Sequence, residues 1–163
     1  MQTLTVTAAC AVRGEEIGVI VGTQVVALRP VSIQAAAVLP DSNFYISRAR
    51  AGVDPFHELH AHADDWEFAT CGLVLIEVCR GRRDPNVRRR LQEQFSIMRF
   101  IATGNSAWEA AAQLAWTLDR KGIVLPAPNL LIAACALQAD AAVLTTDVHF
   151  RLIPGLRVLT RLD

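Results

Sequence analysis

Three acidic side chains stand where a sequence can build a hydrolytic centre. Asp41 comes just past the apolar run Ala35–Leu39, and Asp147 just past Ala141–Thr146 (AAVLTT). Glu77 lies inside the apolar stretch Leu73–Arg80 (LVLIEVCR). In an open α/β sheet, ligands bind outside the carboxyl ends of the strands. In a parallel sheet these three positions can meet at one edge. Hard oxygen donors with few histidines suit Mg²⁺ or Mn²⁺. Such a cluster would activate water and stabilise charge on a phosphodiester. Each acid also has a plainer reading. The two aspartates could be turn or capping residues, and Glu77 could lie on an exposed helix edge, because burying its charge unpaired is costly.

The elements that would position these acids alternate in type. Ala35–Leu39 reads as a buried strand, ended by Pro40-Asp41-Ser42-Asn43, and a helix follows over Phe44–Arg50. Phe68–Cys71 is a second strand, followed by the helix Leu73–Arg80 with Gly81 as its C-terminal stop. Asp84-Pro85 opens a helix to about Ile97, with apolar residues at helical spacing. Arg99–Thr103 is a strand. Ser106-Ala107-Trp108-Glu109 reads as a capping box opening a helix through Lys121, with Trp108, Leu114, Ala115 and Leu118 expected in the core. The helix containing LLIAACAL is apolar all round and should be buried on most faces. A short strand at Val158–Thr160 ends the chain. Strands alternating with helices predict a parallel sheet covered on both faces.

Residues 1–35 have a different character. Leu4–Thr7, Ile17–Val21 and Gln24–Leu28 look like short β segments with turns at Gly14 and Gly22-Thr23. The expected organisation is therefore a β-rich extension over 1–35 and an α/β domain over 36–163.

Composition narrows the class. The 163 residues are 52% hydrophobic and 20% charged, with 16 basic and 16 acidic side chains. That describes one apolar, compact chain with a real core and no global charge to signal nucleic acid. No apolar run reaches the roughly 18 residues that span a bilayer, and the start lacks a secretory pattern, so a cytoplasmic location is expected. Cys10, Cys71, Cys79 and Cys135 show no metal-site spacing and suit free thiols. His57, His60, His62, Asp64, Asp65 and Glu67 tempt a metal reading, but their spacing fits no compact zinc pattern. One positive patch stands out, Arg80, Arg82, Arg83, Arg88, Arg89 and Arg90, which suits either phosphate binding or a solvated helix face.

The motifs DSNFYI at Asp41, LIEVCRG around Glu77, PNLLIAACA from Pro128 and LTTDVHF through Asp147 resemble those of PIN-domain ribonucleases. The similarity is greatest to VapC-like toxins of type II toxin–antitoxin systems and covers about residues 36–160. The resemblance implies a three-layer α/β/α sandwich with a mostly parallel sheet. It implies a Mg²⁺- or Mn²⁺-dependent endoribonuclease, an RNA substrate, a cognate antitoxin and a homodimer. Asp41, Glu77 and Asp147 match three of the family's four acidic positions. Asn43, Thr145 and Thr146 match polar positions beside them. The fourth acidic position holds Asn129, where the family has aspartate. An amide can coordinate through its carbonyl oxygen but brings no charge. Three explanations stand open: an engineered change that spares the expression host, a natural enzyme working weakly on three acids, or an inactive member that only binds. Arg48, Arg50, Arg80, Arg82 and Arg83 lie close in sequence to the acids, where phosphates need countercharge. They could equally meet an acidic antitoxin segment.

The rival reading is a non-catalytic RNA- or protein-binding module with the same fold. A phosphatase or nucleotide-binding protein has little support, since there is no GxxxxGK[ST] loop and no GxGxxG.

Overall fold

The computed structural model describes residues 36–162 and, before them, the strands β1 (Gly18–Val21) and β2 (Gln24–Ala27). The chain divides into two compact units, Met1–Gln34 and Ala35–Asp163. In the first, β1 and β2 pair antiparallel, Gly18 opposite Ala27. The expected segment Leu4–Thr7 lies outside the described residues.

The second unit is built on five parallel strands in the order β5-β4-β3-β6-β7 within an α/β/α sandwich. These are β3 (Ala36–Pro40), β4 (Trp66–Cys71), β5 (Arg99–Ile101), β6 (Ala142–Leu144) and β7 (Val158–Leu159). The helices are α1 (Ser42–Arg50), α2 (Pro55–His60), α3 (Gly72–Cys79), α4 (Pro85–Ser96), α5 (Asn105–Asp119) and α6 (Ala127–Gln138), with a 3₁₀ turn over Val148–Leu152. Parallel strands buried on both faces read as continuous apolar runs. β3 and β6 follow that rule: Val38, Leu39 and Val143 have no exposed surface.

The strand order fixes where a site can form. The chain runs from β3 outward through β4 and β5, then crosses back to place β6 on the other side of β3. The reversal between β3 and β6 is a topological switch point, where a crevice opens at the carboxyl ends of the strands. Asp41 leaves β3 and Thr145–Asp147 leave β6, so both aspartates face this crevice.

Aspartates also start the helices. Asp41, Asp54 and Asp84 cap α1, α2 and α4, each accepting from a backbone N–H just inside the helix. Such a cap satisfies donors that the helix leaves orphaned. Pro55 and Pro85 occupy the first helical position, where the missing N–H costs nothing. After α3, Gly81 takes φ +76°, a conformation that favours glycine. α6 buries seven consecutive residues, Leu130–Ala136, as its uniformly apolar sequence predicts.

Two sequence expectations are corrected. α5 begins at Asn105 with Gly104 as its N-cap and no side-chain cap bond. Ser106 is already helical, so the capping box does not form. Trp108 is 58% exposed. The buried line of α5 is Ala107, Ala111 and Leu118. Trp108 is one residue out of phase with it, about 100° round the helix.

Behind the crevice, Tyr45 locks α1 against the body of the domain. Its ring centroid lies 5.3 Å from Phe56 and 5.1 Å from Phe95, spacings typical of attractive aromatic pairs.

Candidate active site

Asp41 sits at the bottom of the crevice and is 3% exposed. One carboxylate oxygen accepts from the Ser42 backbone N–H at 2.7 Å and lies 3.3 Å from the Ser42 hydroxyl. The other accepts from the Thr145 hydroxyl at 3.1 Å. The Asp41 N–H donates to Leu144 O at 3.0 Å, tying the end of β3 to the end of β6. Burial pushes the Asp41 carboxyl above its ordinary value, and the Glu77 charge adds to that push. The bonds from Thr145 and Ser42 offset it only in part.

Thr145 links the two aspartates. Its Oγ1 donates to Asp41 and accepts from the Asp147 backbone N–H at 3.0 Å. Asp147 Oδ2 accepts from Asn129 Nδ2 at 2.8 Å. Its Oδ1 accepts from the His149 N–H at 2.9 Å and lies 2.8 Å from His149 Nδ1. Burial alone would raise the Asp147 carboxyl. The His149 N–H, the Asn129 amide and the His149 ring together outweigh burial and hold it below its ordinary value. The two aspartates are thus shifted in opposite directions, Asp147 by hydrogen bonds that together outweigh burial and Asp41 by burial that its hydrogen bonds offset only in part.

Glu77 lies on α3, which packs against α1. It lines a cavity of about 590 Å³ together with Ser42, Asn43, Arg50, Arg80 and Arg82. This cavity brings Glu77 and three arginines to one opening beside Ser42, the neighbour of Asp41, while Asp41, Asn129 and Asp147 do not line it. Of the other expected residues, Thr146 and Arg83 are exposed. Arg48 is committed elsewhere: its guanidinium forms a fork with Glu58 at 2.6 and 2.9 Å and stacks over Phe44. Two contributors escaped the sequence reading, Ser42 and His149. Ser42 follows Asp41 directly within DSN and His149 lies two residues after Asp147 within TTDVHF, so their types alone carried the signal.

The donors that could hold a cation are the oxygens of Asp41, Glu77 and Asp147 and the amide oxygen of Asn129. Among the described residues, no three His, Cys, Asp or Glu side chains stand close enough to cage an ion by themselves. Mg²⁺ keeps several waters and needs only one or two carboxylates. The all-oxygen set fits such an open, hydrated ion and not a closed nitrogen–sulfur zinc site. The histidines of residues 57–62 form no metal group either.

The PIN domain family model matches residues 38–156, and the chain belongs to that family. Members of the family are generally nucleases. No curated protein matches the sequence significantly. Among solved structures, the chain is similar to VapBC2 from Rickettsia felis bound to a DNA fragment from its promoter. The TM-score is 0.65 at 21% identity, covering 78% of this chain and 99% of that one. It is similar to DNA-bound VapBC from Salmonella typhimurium, with a TM-score of 0.63 at 20% identity, covering 76% and 97%. It is also similar to a toxin–antitoxin complex from Klebsiella pneumoniae, with a TM-score of 0.59 at 22% identity, covering 77% and 98%.

Proposed function

We propose that this chain is a divalent-metal-dependent endoribonuclease of the VapC-like group, the toxin of a toxin–antitoxin pair, acting in the cytoplasm. The observation that carries this reading is the shared opening of Glu77 with Arg50, Arg80 and Arg82, next to buried Asp41. Guanidinium groups bind phosphate through fixed forks of N–H donors, so they would hold an RNA backbone over the acids. Asp41, Glu77 and Asp147 would hold Mg²⁺ or Mn²⁺, which supplies Lewis-acid stabilisation of developing charge and a more acidic water. Thr145 and Ser42 fix the Asp41 carboxylate, and Asn129 and His149 fix that of Asp147. Asn43 and Thr146 flank the acids as polar supports for substrate.

The test is total RNA incubated with the full chain, with Mg²⁺ or Mn²⁺ and with chelator. Discrete internal fragments that require the metal are the expected result. Identical patterns in chelator would sink the metal dependence. The Asn129–Asp147 bond favours a second reading, a PIN-like module that binds RNA or protein without cutting. RNA retained but uncut by this chain and by its Asn129→Asp variant would establish it.

The arginines divide into two groups. Replacing Arg50, Arg80 or Arg82 by Ala is expected to weaken RNA binding and lower the salt slope by about one per lost phosphate contact. Arg48→Ala should leave that slope unchanged and instead cost roughly 1 kcal/mol of stability by stripping Glu58 of its partner. Salt titrations beside thermal melts separate the two.

The partner assignments rest on the surface and on the relatives. One of the similar structures, from Klebsiella pneumoniae, is a toxin–antitoxin complex. A second groove of about 440 Å³ has Leu75, Ile76 and Cys79 beside Arg80, Arg82 and Arg88. An apolar floor with a basic rim suits an acidic, partly apolar antitoxin segment. A homodimer would cover exposed Phe100, Trp108 and Trp116. Trp108→Ser with Trp116→Ser should then yield a monomer by light scattering, and an unchanged dimer would place the interface elsewhere. The β-rich residues 1–35 we assign as an extension to the nuclease domain. No helix among the described residues is long and apolar enough to cross a membrane.

A further inference from the structure

The cavity beside Glu77 is lined by more than phosphate binding uses. Its volume of about 590 Å³ falls within the roughly 300–1,000 Å³ of sites that enclose a whole small molecule. Holding a phosphate needs only cations at a surface. Asn43, Ile46 and Ala49 of α1 also line the cavity. Their spacing puts them on one face of the helix. Asn43 and Ala49 are exposed and Ile46 is half-buried, so this wall is open to a ligand. Arg82 stands at the same cavity, and its Nε donates to Val78 O at 3.3 Å. That bond fixes the side chain and leaves its terminal N–H groups for a ligand.

Asn43 supplies the chemistry of selection. Among the described residues, no hydrogen bond engages its amide. An amide offers a donor and an acceptor side by side. That pair complements the edge of adenine that carries the N6 amino group and N7. Guanine shows two acceptors at the same edge, and arginine is the partner for it. Ile46 and Ala49 add apolar surface, which suits the face of a base and not a phosphate.

We propose that this cavity is a subsite for one unpaired adenine of the RNA, and that Asn43 reads it. Asn43 Nδ2–H donates to N7, and the N6 amino group donates to Asn43 Oδ1. The face of the base rests on Ile46 and Ala49, while Arg50, Arg80 and Arg82 hold the phosphates around it. A base must leave its stack to enter, so the substrate class is single-stranded RNA, the form in which base edges are free to be read. Glu77 and Ser42 line the cavity, whereas Asn129 and Asp147 do not. The adenine therefore lies to one side of the acids, and cuts fall at a fixed step from it. This inference rests on the RNA-binding part of the proposed function.

The experiment uses the full chain and short oligouridines with one central adenosine. In the comparison RNAs that position holds 7-deazaadenosine, purine riboside, guanosine or uridine. Binding is read by fluorescence anisotropy in chelator, and cleavage with Mg²⁺. The adenosine RNA should bind about ten-fold more tightly than the others, the scale of one bidentate base contact, and be cut at a single step. Removing N7 or the N6 amino group alone should lose most of that preference. Asn43→Ala should bind the adenosine and 7-deazaadenosine RNAs alike, a levelling that a purely structural role for Asn43 does not produce. Ala49→Trp, which fills the cavity from an exposed helix position, should level the series too and serves if Asn43→Ala misfolds. Cutting with no preference for adenosine in binding or cleavage overturns the subsite and leaves the nuclease reading standing. A binding preference without any cutting does the reverse. A preference for guanosine, or a 7-deazaadenosine penalty that persists in Asn43→Ala, overturns the assignment to Asn43.

Discussion

Asn129→Asp is expected to raise metal-dependent RNA cleavage by at least about ten-fold, the scale on which residues that support a metal site act, while weakening the metal-free fold. The reason is a single bond. Asn129 Nδ2 donates to Asp147 Oδ2 at 2.8 Å. An ionised aspartate has no hydrogen to offer, so the substitution sets two carboxylates against each other and raises the affinity of both for a cation or a proton. Losing a hydrogen bond to a charged group costs roughly 1.5–3 kcal/mol, which for a chain of this size is roughly 5 °C in Tm. Mg²⁺ should restore that loss, and an equal ionic strength of K⁺ should not. Melting curves of both chains in chelator, K⁺ and Mg²⁺ measure the stability half, and RNA gels the activity half. Equal cutting by both chains would mean that the amide serves as well as an acid. A deficit that Mg²⁺ does not repair would mean that residue 129 faces no ion.

How much of this was legible in the sequence depends on the range of each interaction. The strand–helix alternation was readable because core strands such as Ala36–Pro40 are apolar without interruption and helices such as α6 are apolar all round. Asp41 and Asp147 were locatable because a strand end is a local feature. The commitments of side chains were not. Arg48 reads as a free cation beside an acidic motif, yet Glu58, ten residues on, takes its guanidinium. Trp108 reads as core by type, and helix phase places it on the surface. The Thr145 bridge joins residues 104 apart, a distance over which no periodicity carries information.

Asp41→Asn is expected to abolish cleavage and stabilise the metal-free chain, a pairing of opposite signs that separates a functional carboxylate from a structural one. Asparagine caps a helix as well as aspartate does, so the start of α1 survives the change. What disappears is the charge. The folded chain holds the Asp41 carboxyl above its ordinary 3.8, through burial first and the Glu77 charge in addition. As pH rises past that ordinary value, the unfolded chain gives up the proton while the folded chain retains it. Stability then falls with rising pH, and the whole cost is in place at neutral pH. Wild type and variant should melt alike in acid and diverge as pH rises, with the variant ahead by roughly 1 kcal/mol, the usual gain when a strained functional group is removed. Cleavage should fall by about 100-fold or more, as when a preorganised charge-stabilising group is lost. Mg²⁺ should narrow the stability gap by offsetting the charge in wild type alone. A variant less stable than wild type at neutral pH would show that the Ser42 and Thr145 bonds outweigh burial, making Asp41 a structural cap. A variant that gains stability and still cuts RNA would remove Asp41 from the active site.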